Sequence, residues 1–491
     1  MSQTINTPSQ PDIQDIYRYL EQLHAQQLTT ADKARIQKAY DFAKKAHEGQ
    51  QRASGEPYFN HVFESAKNCA RFGMDVTTVV AGMLHDTIED TPVTSKDITD
   101  TFDAEVTKLV EGVTKLGKLK YRGHERHVES LRKFFISVAD DLRVVIIKFA
   151  DRLHNLSTLD PLPPPKQKRI ALESIEIYSQ LASRLGMGRL ANELQDLAFP
   201  YAYPKEADMI AKLFKKRKKS DQKYMEKVYR SVKRELAVHM VTDISTHYRV
   251  KGTYSLYIKL QKKEMNIEEI HDIIALRVVT SSVEDCYRVL GIIHSMWKPL
   301  PGRIKDYIAL PKPNGYQSLH TTIFTGDGGI AEIQIRTQEM HDVAEYGIAS
   351  HFIYKNNKAF GWLGQIRDMQ EEHTNPSAFL KELKTDFLDD RIFVFTPQGD
   401  VIDLPEGSSA IDFAYAIHSW VGNHASGAWI NDKYSALKTE LKGRDRVKID
   451  TNEKNLPKSR WLDWAKTTMA QKHIKSALKK QSLMTKWFGV E

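Results

Sequence analysis

Residues 83–90 read "MLHDTIED". One histidine and three acids stand at the end of a stretch that otherwise reads as the wall of an apolar helix. The preceding "TTVVAGML" places Val79, Val80, Met83 and Leu84 at helical spacing. Burying charge is costly unless something pairs with it. On one helix, residues four apart share a face, so His85 with Glu89 and Asp86 with Asp90 form two adjacent pairs. The oddity recurs on two other apolar helices. His61 opens "HVFESAKNCARF", and Asp151 and Asn155 stand four apart in "VVIIKFADRLHNL". A divalent cation explains all three, because imidazole and carboxylate suit Mn, Fe or Zn and the cation offsets the buried acids. Taken singly, His61 also reads as a satisfied core histidine, and Asp151 as a buried ion pair with Arg152 or Arg143. The adjacent His-Asp pair together with the other two favours a metal.

Outward from this cluster, residues 30–200 read as helix after helix. "IQKAYDFAKKAH" and "ESIEIYSQLASRLG" show the 3.6-residue period, and "DPLPPPKQ" reads as a proline-rich loop. From Tyr248 the pattern is mixed. "DIIALRVVT" and "AEIQIRT" read as strands, with the helix "SSVEDCYRVLGIIHSMW" between them. Residues 356–389 read as a helical linker. "RIFVFTPQGDVIDLP" reads as a hairpin, followed by one helix, "SAIDFAYAIHSWVG".

The mixed region carries a second constellation. "YRVKGTYSLYIKL" sets Arg249, Lys251 and Lys259 near Ser255, and "PGRIKDYIALPKPNGYQSLHTTI" adds Arg303, Lys305, Lys312 and His320 around Tyr307 and Tyr316. Cations interleaved with aromatics suit a polyphosphate and a stacked base. Alternation in "AEIQIRT" puts Glu332, Gln334 and Arg336 on one face and Ala331, Ile333 and Ile335 on the other, as in a half-buried strand. With Asp272 entering the neighbouring strand, two acids face many cations, as phosphoryl-type transfer needs. A solvated sheet edge laced with surface salt bridges is the alternative. There is no Walker A or G-x-G-x-x-G loop, so a P-loop or Rossmann site is unsupported.

At 491 residues the chain is too long for one ordinary core, and two to four domains are expected. No apolar run reaches the ~18–20 residues of a membrane span. The polar start lacks a signal-peptide apolar region, and Cys69 and Cys286 read as buried thiols, so a reducing cytoplasm is expected. The net charge of +8 is concentrated. Residues 212–234 hold eleven basic and two acidic residues, and residues 453–491 hold nine and three. Such segments suit phosphate-rich partners, or form solvated helix faces.

The strings "QRASGEPYFNH", "GMLHDTIEDT" and "IKFADRLHNL" resemble the hydrolase domain of the RelA/SpoT-homologue family, within the HD phosphohydrolase superfamily. "YRVKGTYSLYIKL", "DIIALRVV", "RIKDYIALPKPNGYQSLHTT" and "EIQIRT" resemble that family's synthetase domain, in the family's order. The stretch from "RIFVFTP" onward resembles a TGS domain. The resemblance implies an enzyme that makes (p)ppGpp by moving pyrophosphate from ATP to the 3′-OH of GTP or GDP, and removes it again by hydrolysis. In the hydrolase, it implies that His61, His85, Asp86 and Asp151 hold Mn2+. Glu89 and Asp90 activate water, and Arg52 and Asn155 contact the nucleotide. In the synthetase, it implies that Asp272 holds Mg2+ and Glu332 assists the metal and deprotonates the 3′-OH. Tyr316 stacks on guanine with Lys312, Asn314 and His320 around it. Arg249 and Arg277 flank adenine, and Lys251, Ser255, Lys259, Arg303 and Lys305 meet phosphates, with Gln334 and Arg336 on the same strand face as Glu332. "RIKD" matches the basic form carried by bifunctional members. His418 stands where TGS domains of long members meet tRNA, and reads otherwise as a half-buried helix histidine. One departure is Ala53, where the family has lysine.

The expected architecture is multidomain. It comprises a polar segment or helix at 1–29, an all-α HD-type hydrolase domain at 30–200 and an α+β nucleotidyltransferase-like synthetase domain at 201–355. The linker at 356–389 follows, then a β-grasp TGS domain at 390–452 and a basic helical tail at 453–491. The zinc-finger or RRM-like and ACT modules of long members are not expected. Two rival readings stand beside this one: a single surviving activity, or a tRNA- or ribosome-binding regulator with vestigial catalytic domains.

Overall fold

The computed structural model describes residues 11–24, 27–117, 141–261, 263–265, 274–312, 314–325, 329–350 and 391–488, with backbone alone at 24, 115–117, 216–222, 274 and 482–488. The expected linker at 356–389 and Asp272 lie outside the described residues. There are two compact units, whose described parts are 11–350 and 391–488. No helix among the described residues is long and apolar enough to cross a membrane.

The first half of the larger unit is helical. Capping boxes at Thr29/Asp32 and Thr94/Asp97 start the helices Thr30–Ala46 and Ser95–Thr101, and Asp75 and Asp141 cap Val76–Leu84 and Leu142–Ser157. Tyr58–Arg71, Val76–Leu84 and Leu142–Ser157 pack on one another through Val62, Ala66, Val80, Met83, Ile146 and Phe149, all buried. Each large apolar side chain so buried contributes roughly 1.5–3 kcal/mol. Gly82 lets two of these helices approach closely, since a Cβ there would stand 3.0 Å from Cys69 Sγ and 3.5 Å from the Ala66 backbone. Ile13–His24 also packs on Tyr58–Arg71.

The continuous helix face expected through "MLHDTIED" is not what forms. Val76–Leu84 ends, His85 caps it, and a separate turn Thr87–Asp90 begins after Asp86. Polar side chains take the carbonyls at the break. His85 Nδ1 bonds Gly82 O at 2.8 Å, and Thr87 Oγ1 bonds Leu84 O at 2.6 Å.

The second half is a five-stranded mixed sheet in the order β1-β2-β5-β4-β3. Its strands are β1 (Ile244–Val250), β2 (Ile274–Thr280), β3 (Lys305–Asp306), β4 (Leu319–Phe324) and β5 (Ile330–Thr337). Only β2 and β5 pair in parallel. Leu276, Val278, Leu319, Ile323, Ala331, Ile333 and Ile335 share a core with Val228, Val232 and Leu236 of Pro204–Val238 and with Val289 and Ile293 of Val283–Met296. The basic run 212–234 lies in Pro204–Val238. It buries Met225, Val228 and Val232 at helical spacing and exposes its described lysines and arginines.

Gly188–Ala202 joins the two halves. Arg71 and Glu193 form a bidentate ion pair at 3.1 Å. On the other side, Ser255 Oγ donates to Asn192 Oδ1 at 3.1 Å, and Tyr254 N and Thr253 Oγ1 donate to Asp196 Oδ1 at 3.0 and 3.1 Å. Gly252 is required at this approach, because a Cβ would stand 2.4 Å from the Asp196 carboxylate.

The smaller unit contains the expected hairpin, β6 (Arg391–Phe395) with β7 (Val401–Pro405), and a sheet of order β10-β8-β9 formed by Val447–Thr451, Ala425–Ile430 and Lys433–Ser435. The single helix expected at 409–422 is two, Ala410–Ile417 and Ser419–Asn423, because His418 is extended at φ −167°. His418 is exposed and caps the second helix with its ring, which overturns the half-buried reading. Residues 453–488 are not a free tail. Trp461, Ala470 and Ile474 bury against Ile411 and Tyr415. The wholly buried Asp412 takes bonds from Ser409 N, Lys466 N, Thr467 N and Thr467 Oγ1 at 2.8–3.1 Å. Bonds to a charged group contribute about 1.5–3 kcal/mol each, and orphaned buried donors cost ~1–3. Asp412→Ala is therefore expected to destabilise this unit by about 3 kcal/mol, read as a lower urea midpoint in Trp fluorescence. An unchanged midpoint would show that the carboxylate does not tie the two segments together.

Candidate metal and nucleotide sites

The helix break turns Asp86 toward His61 and Asp151. His61 Nε2 lies 3.4 Å from Asp86 Oδ2 and 3.2 Å from Asp151 Oδ1. His85 Nε2 lies 3.2 Å from Asp86 Oδ1 and 4.0 Å from Asp151 Oδ1. His61, His85 and Asp151 are each under 5 % exposed. Nδ1 of His85 is engaged by Gly82 O, so its buried Nε2 is the ring atom that faces the Asp86 and Asp151 carboxylates. Burial alone would raise both carboxyls. His85 and His61 beside Asp86, and Lys148 and His61 beside Asp151, outweigh it and hold both well below the usual range. The same contest, with burial lowering and Asp86 raising, leaves His85 at about 9. Lys148 and the two histidines compensate the carboxylates here, and the converging atoms of His61, His85 and Asp86 are close enough together to take a divalent cation in that role. The donor set thus fits a divalent ion.

The ion pairs entertained for Asp151 are not formed. Its partner is Lys148, at 2.5 Å. Arg152 pairs with Glu173 at 3.2 Å and Arg143 with Asp141 and Glu105. Asn155 Nδ2 also bonds Asp151, and its Oδ1 receives Arg52 Nη2 at 2.5 Å. Glu89 is partly exposed on its turn, and the exposed Asp90 shares the Tyr58 hydroxyl with Asp86, at 2.8 and 2.9 Å. Beside the cluster opens a cavity of about 450 Å³ lined by Arg52, Lys148, Arg152, Lys166 and Arg169, with Ala53 also on its wall. Asp151 and Glu173 also line it, so its cations outnumber its acids, which suits an anionic ligand.

On the sheet's other face, residues paired across all five strands form one polar row: His247, Arg277, Gln334, His320 and Lys305. Glu332 lies on the same face of β5, accepting from Gln334 Nε2 at 2.8 Å and standing 3.6 Å from His320 Nδ1. His320 Nε2 bonds the Tyr316 hydroxyl at 2.8 Å, and Lys312 Nζ lies 5.2 Å from the Tyr316 ring and 4.9 Å from that of Tyr307. Asn314 Oδ1 accepts from Tyr316 N. The half-buried strand is wrong at its far end, because Gln334 and Arg336 are each 1 % exposed. There Glu345 binds Arg277 at 2.9 Å and Arg336 at 3.2 Å, and His341 meets Arg336 at 2.8 Å. Gln334 Oε1, Arg277 Nε and Arg336 Nε stay buried without hydrogen-bond partners among the described residues. Arg249 and Arg303 are exposed, Lys251 and Lys259 half-buried, and Ser255 is held by Asn192.

Burial, with Lys312 and Lys305 alongside, pushes the His320 imidazole down to about 3. The ring is neutral in the folded protein, whereas the unfolded chain takes up this proton near pH 6.5. Stability is therefore retained above ~6.5 and lost as the pH falls below it, by about 2 kcal/mol at pH 5. His320→Gln, which cannot protonate, is expected to flatten the fall of the nucleotide-free urea midpoint between pH 7 and 5. Equal pH slopes in the two proteins would contradict this.

Sequence reasoning missed Tyr58, Lys148 and His154 at the first site, and His247, His341 and Glu345 at the second. A signal existed for some. Lys148, Asp151, His154 and Asn155 follow the i, i+3, i+4 spacing of one helix face. A buried Arg336 demands a carboxylate, and Glu345 stands nine residues on.

Comparison with known proteins places three family regions along the chain: an HD domain at 39–188, the region found in RelA / SpoT proteins at 248–359, and a TGS domain at 392–451. A guanosine-3′,5′-bis(diphosphate) 3′-pyrophosphohydrolase from Aquifex aeolicus is 45 % identical over 453 residues, 91 % of this chain and 65 % of that protein. A GTP pyrophosphokinase from Myxococcus xanthus is 44 % identical over 459 residues, 91 % of this chain and 60 % of its own. The chain thus spans less than two thirds of these relatives' length. It covers 67 % of the bifunctional (p)ppGpp synthase/hydrolase SpoT of Escherichia coli, at 39 % identity over 474 residues. On that extent of identity, with the HD and RelA / SpoT regions present in order, the chain belongs to the RelA/SpoT family.

Proposed function

We propose that this chain both makes and destroys (p)ppGpp. The reading rests above all on one observation: two separate polar sites within one compact unit. One is an acid–histidine cluster opening on a basic cavity. The other is a cation-rich sheet face with an acid and a tyrosine. The relatives named for each activity support it.

In hydrolysis, the 3′-pyrophosphate enters the cavity against Arg52, Lys148, Lys166 and Arg169. A water oxygen bonds to the phosphorus attached to the ribose 3′-oxygen. The bond from that phosphorus to O3′ breaks, and pyrophosphate departs. Asp90, aligned by Tyr58, and Glu89 take the water's proton. His61, His85, Asp86 and Asp151 are the residues that would hold Mn2+, which when bound supplies a water acidified from 15.7 toward ~7 and charge stabilisation. Asn155 and Arg52 orient the nucleotide.

In synthesis, the ribose 3′-oxygen of GTP or GDP bonds to the β-phosphorus of ATP and AMP leaves. Glu332 accepts the 3′-OH proton, and His320 beside it is neutral and so does not compete as a charge. Tyr316 stacks on guanine, with Lys312 and Asn314 fixing its loop. Arg249 and Arg277 flank the adenine of ATP, Lys251, Ser255, Lys259, Arg303 and Lys305 meet its phosphates, and the buried Arg336 adds positive charge beneath them. Asp272 with Glu332 would hold Mg2+.

His418, exposed at its helix break, and the docked basic helix at 468–488 are the proposed RNA contacts of the smaller unit, with tRNA or the ribosome as partner. A cytoplasmic location accords with these substrates. The test is a nucleotide assay on the purified chain. ATP, GDP and Mg2+ should yield AMP and ppGpp, and ppGpp with Mn2+ should yield GDP and pyrophosphate. Neither product would overturn the reading. One product alone would favour the single-activity alternative.

A further inference from the structure

His154 is not among the groups that hold the cation or activate water, yet it touches two that matter. Its Nδ1 lies 2.8 Å from His61 Nδ1 and 3.2 Å from Arg52 Nη1. A guanidinium can only donate. The His154 Nδ1 that receives it therefore presents a lone pair. The proton in the His61–His154 bond must then sit on His61 Nδ1. A neutral His61 so tautomerised carries its own lone pair on Nε2, the atom that faces Asp86 and Asp151 at 3.4 and 3.2 Å. Nε2 is thus the ring atom directed at the site, placed to donate to the carboxylates when protonated and to bind a cation when not. His85 is oriented the same way by different means, since its Nδ1 donates to the backbone carbonyl of Gly82 and leaves Nε2 facing the carboxylates. One imidazole is thus locked by the main chain, the other by a side chain that is itself locked by Arg52.

Resting on the hydrolase reading, we infer that His154 is a positioning residue that fixes His61 as an Nε2 ligand, and that Arg52 sets His154 for this task. Arg52 lines the cavity and also bonds Asn155, which bonds Asp151. A single arginine at the nucleotide's edge is therefore linked to two of the four proposed ligands, through His154 to His61 and through Asn155 to Asp151.

The experiment is Mn2+ titration of the nucleotide-free full chain by calorimetry, with free Mn2+ counted by electron paramagnetic resonance. Outer groups that orient metal-bound histidines typically carry ~10–100-fold in affinity. His154→Leu fills the volume but offers no acceptor, and should weaken Mn2+ by about that factor. His154→Asn is smaller, but returns an acceptor oxygen near the Nδ1 position, and should restore most of the affinity. A packing role predicts the reverse order. Asp86→Ala sets the baseline without the site. Leu at 154 binding as tightly as wild type, or Asn no better than Leu, overturns the relay and leaves the hydrolase reading standing. Wild type binding no tighter than Asp86→Ala overturns both. Thermal melts of the metal-free variants within a few degrees of wild type confirm that folding is not the cause.

Discussion

Asp86→Ala is expected to abolish Mn2+-dependent breakdown of ppGpp while leaving synthesis from ATP and GDP measurable. Asp86 stands between His61 and His85 at 3.4 and 3.2 Å, and its loss removes one of the two carboxylates proposed to hold the ion. It also removes one of the two acceptors that hold the Tyr58 hydroxyl, and with it the alignment of Asp90. A metal's charge stabilisation is worth several kcal/mol, and each ~1.4 kcal/mol is tenfold, so a fall of about 10³-fold or more is expected. Loss of both activities from a folded protein would mean that the two sites are one system.

Glu332→Gln should do the converse. The amide keeps the shape and the bond from Gln334 but cannot take a proton from the 3′-OH. General-base removal costs about 10²–10⁴-fold. Hydrolysis should persist, because Glu332 lies on β5 and shares no hydrogen bond with the His61 cluster. Synthesis at the wild-type rate would remove Glu332 from the chemistry and leave it a ligand of charge alone.

Much of both sites was legible before any coordinates, and for a physical reason. Acids and histidines on apolar helices are expensive, so Asp86, His85, His61 and Asp151 pointed to one common place, and the structure brings them together although they are scattered over some ninety residues. The strand "AEIQIRT" likewise declared its apolar face, and Ala331, Ile333 and Ile335 are wholly buried. What failed was local periodicity at functional breaks. "MLHDTIED" and "AIHSWVG" read as continuous helix, but His85 and His418 stop it by bonding main-chain groups with their rings. Period-two reasoning also assigns one face to solvent, and had no means of knowing that Gln338–Tyr346 sets His341 and Glu345 against Arg336. His154 shares the helix face of Lys148, Asp151 and Asn155, but that spacing says nothing of what it touches on other helices. Only its two nitrogen neighbours, one from residue 52 and one from residue 61, disclose it.

The central claim is that two chemically opposed sites work on one chain, and one labelling experiment tests it most directly. The full chain is given ATP labelled in its β- and γ-phosphates, with GDP, Mg2+ and Mn2+ together, and the label is followed with time. Wild type should pass label into ppGpp and then into pyrophosphate while AMP accumulates. Asp86→Ala should hold the label in ppGpp, matched one for one by AMP, and Glu332→Gln should leave it in ATP. Label reaching pyrophosphate as fast in Asp86→Ala as in wild type would contradict the account.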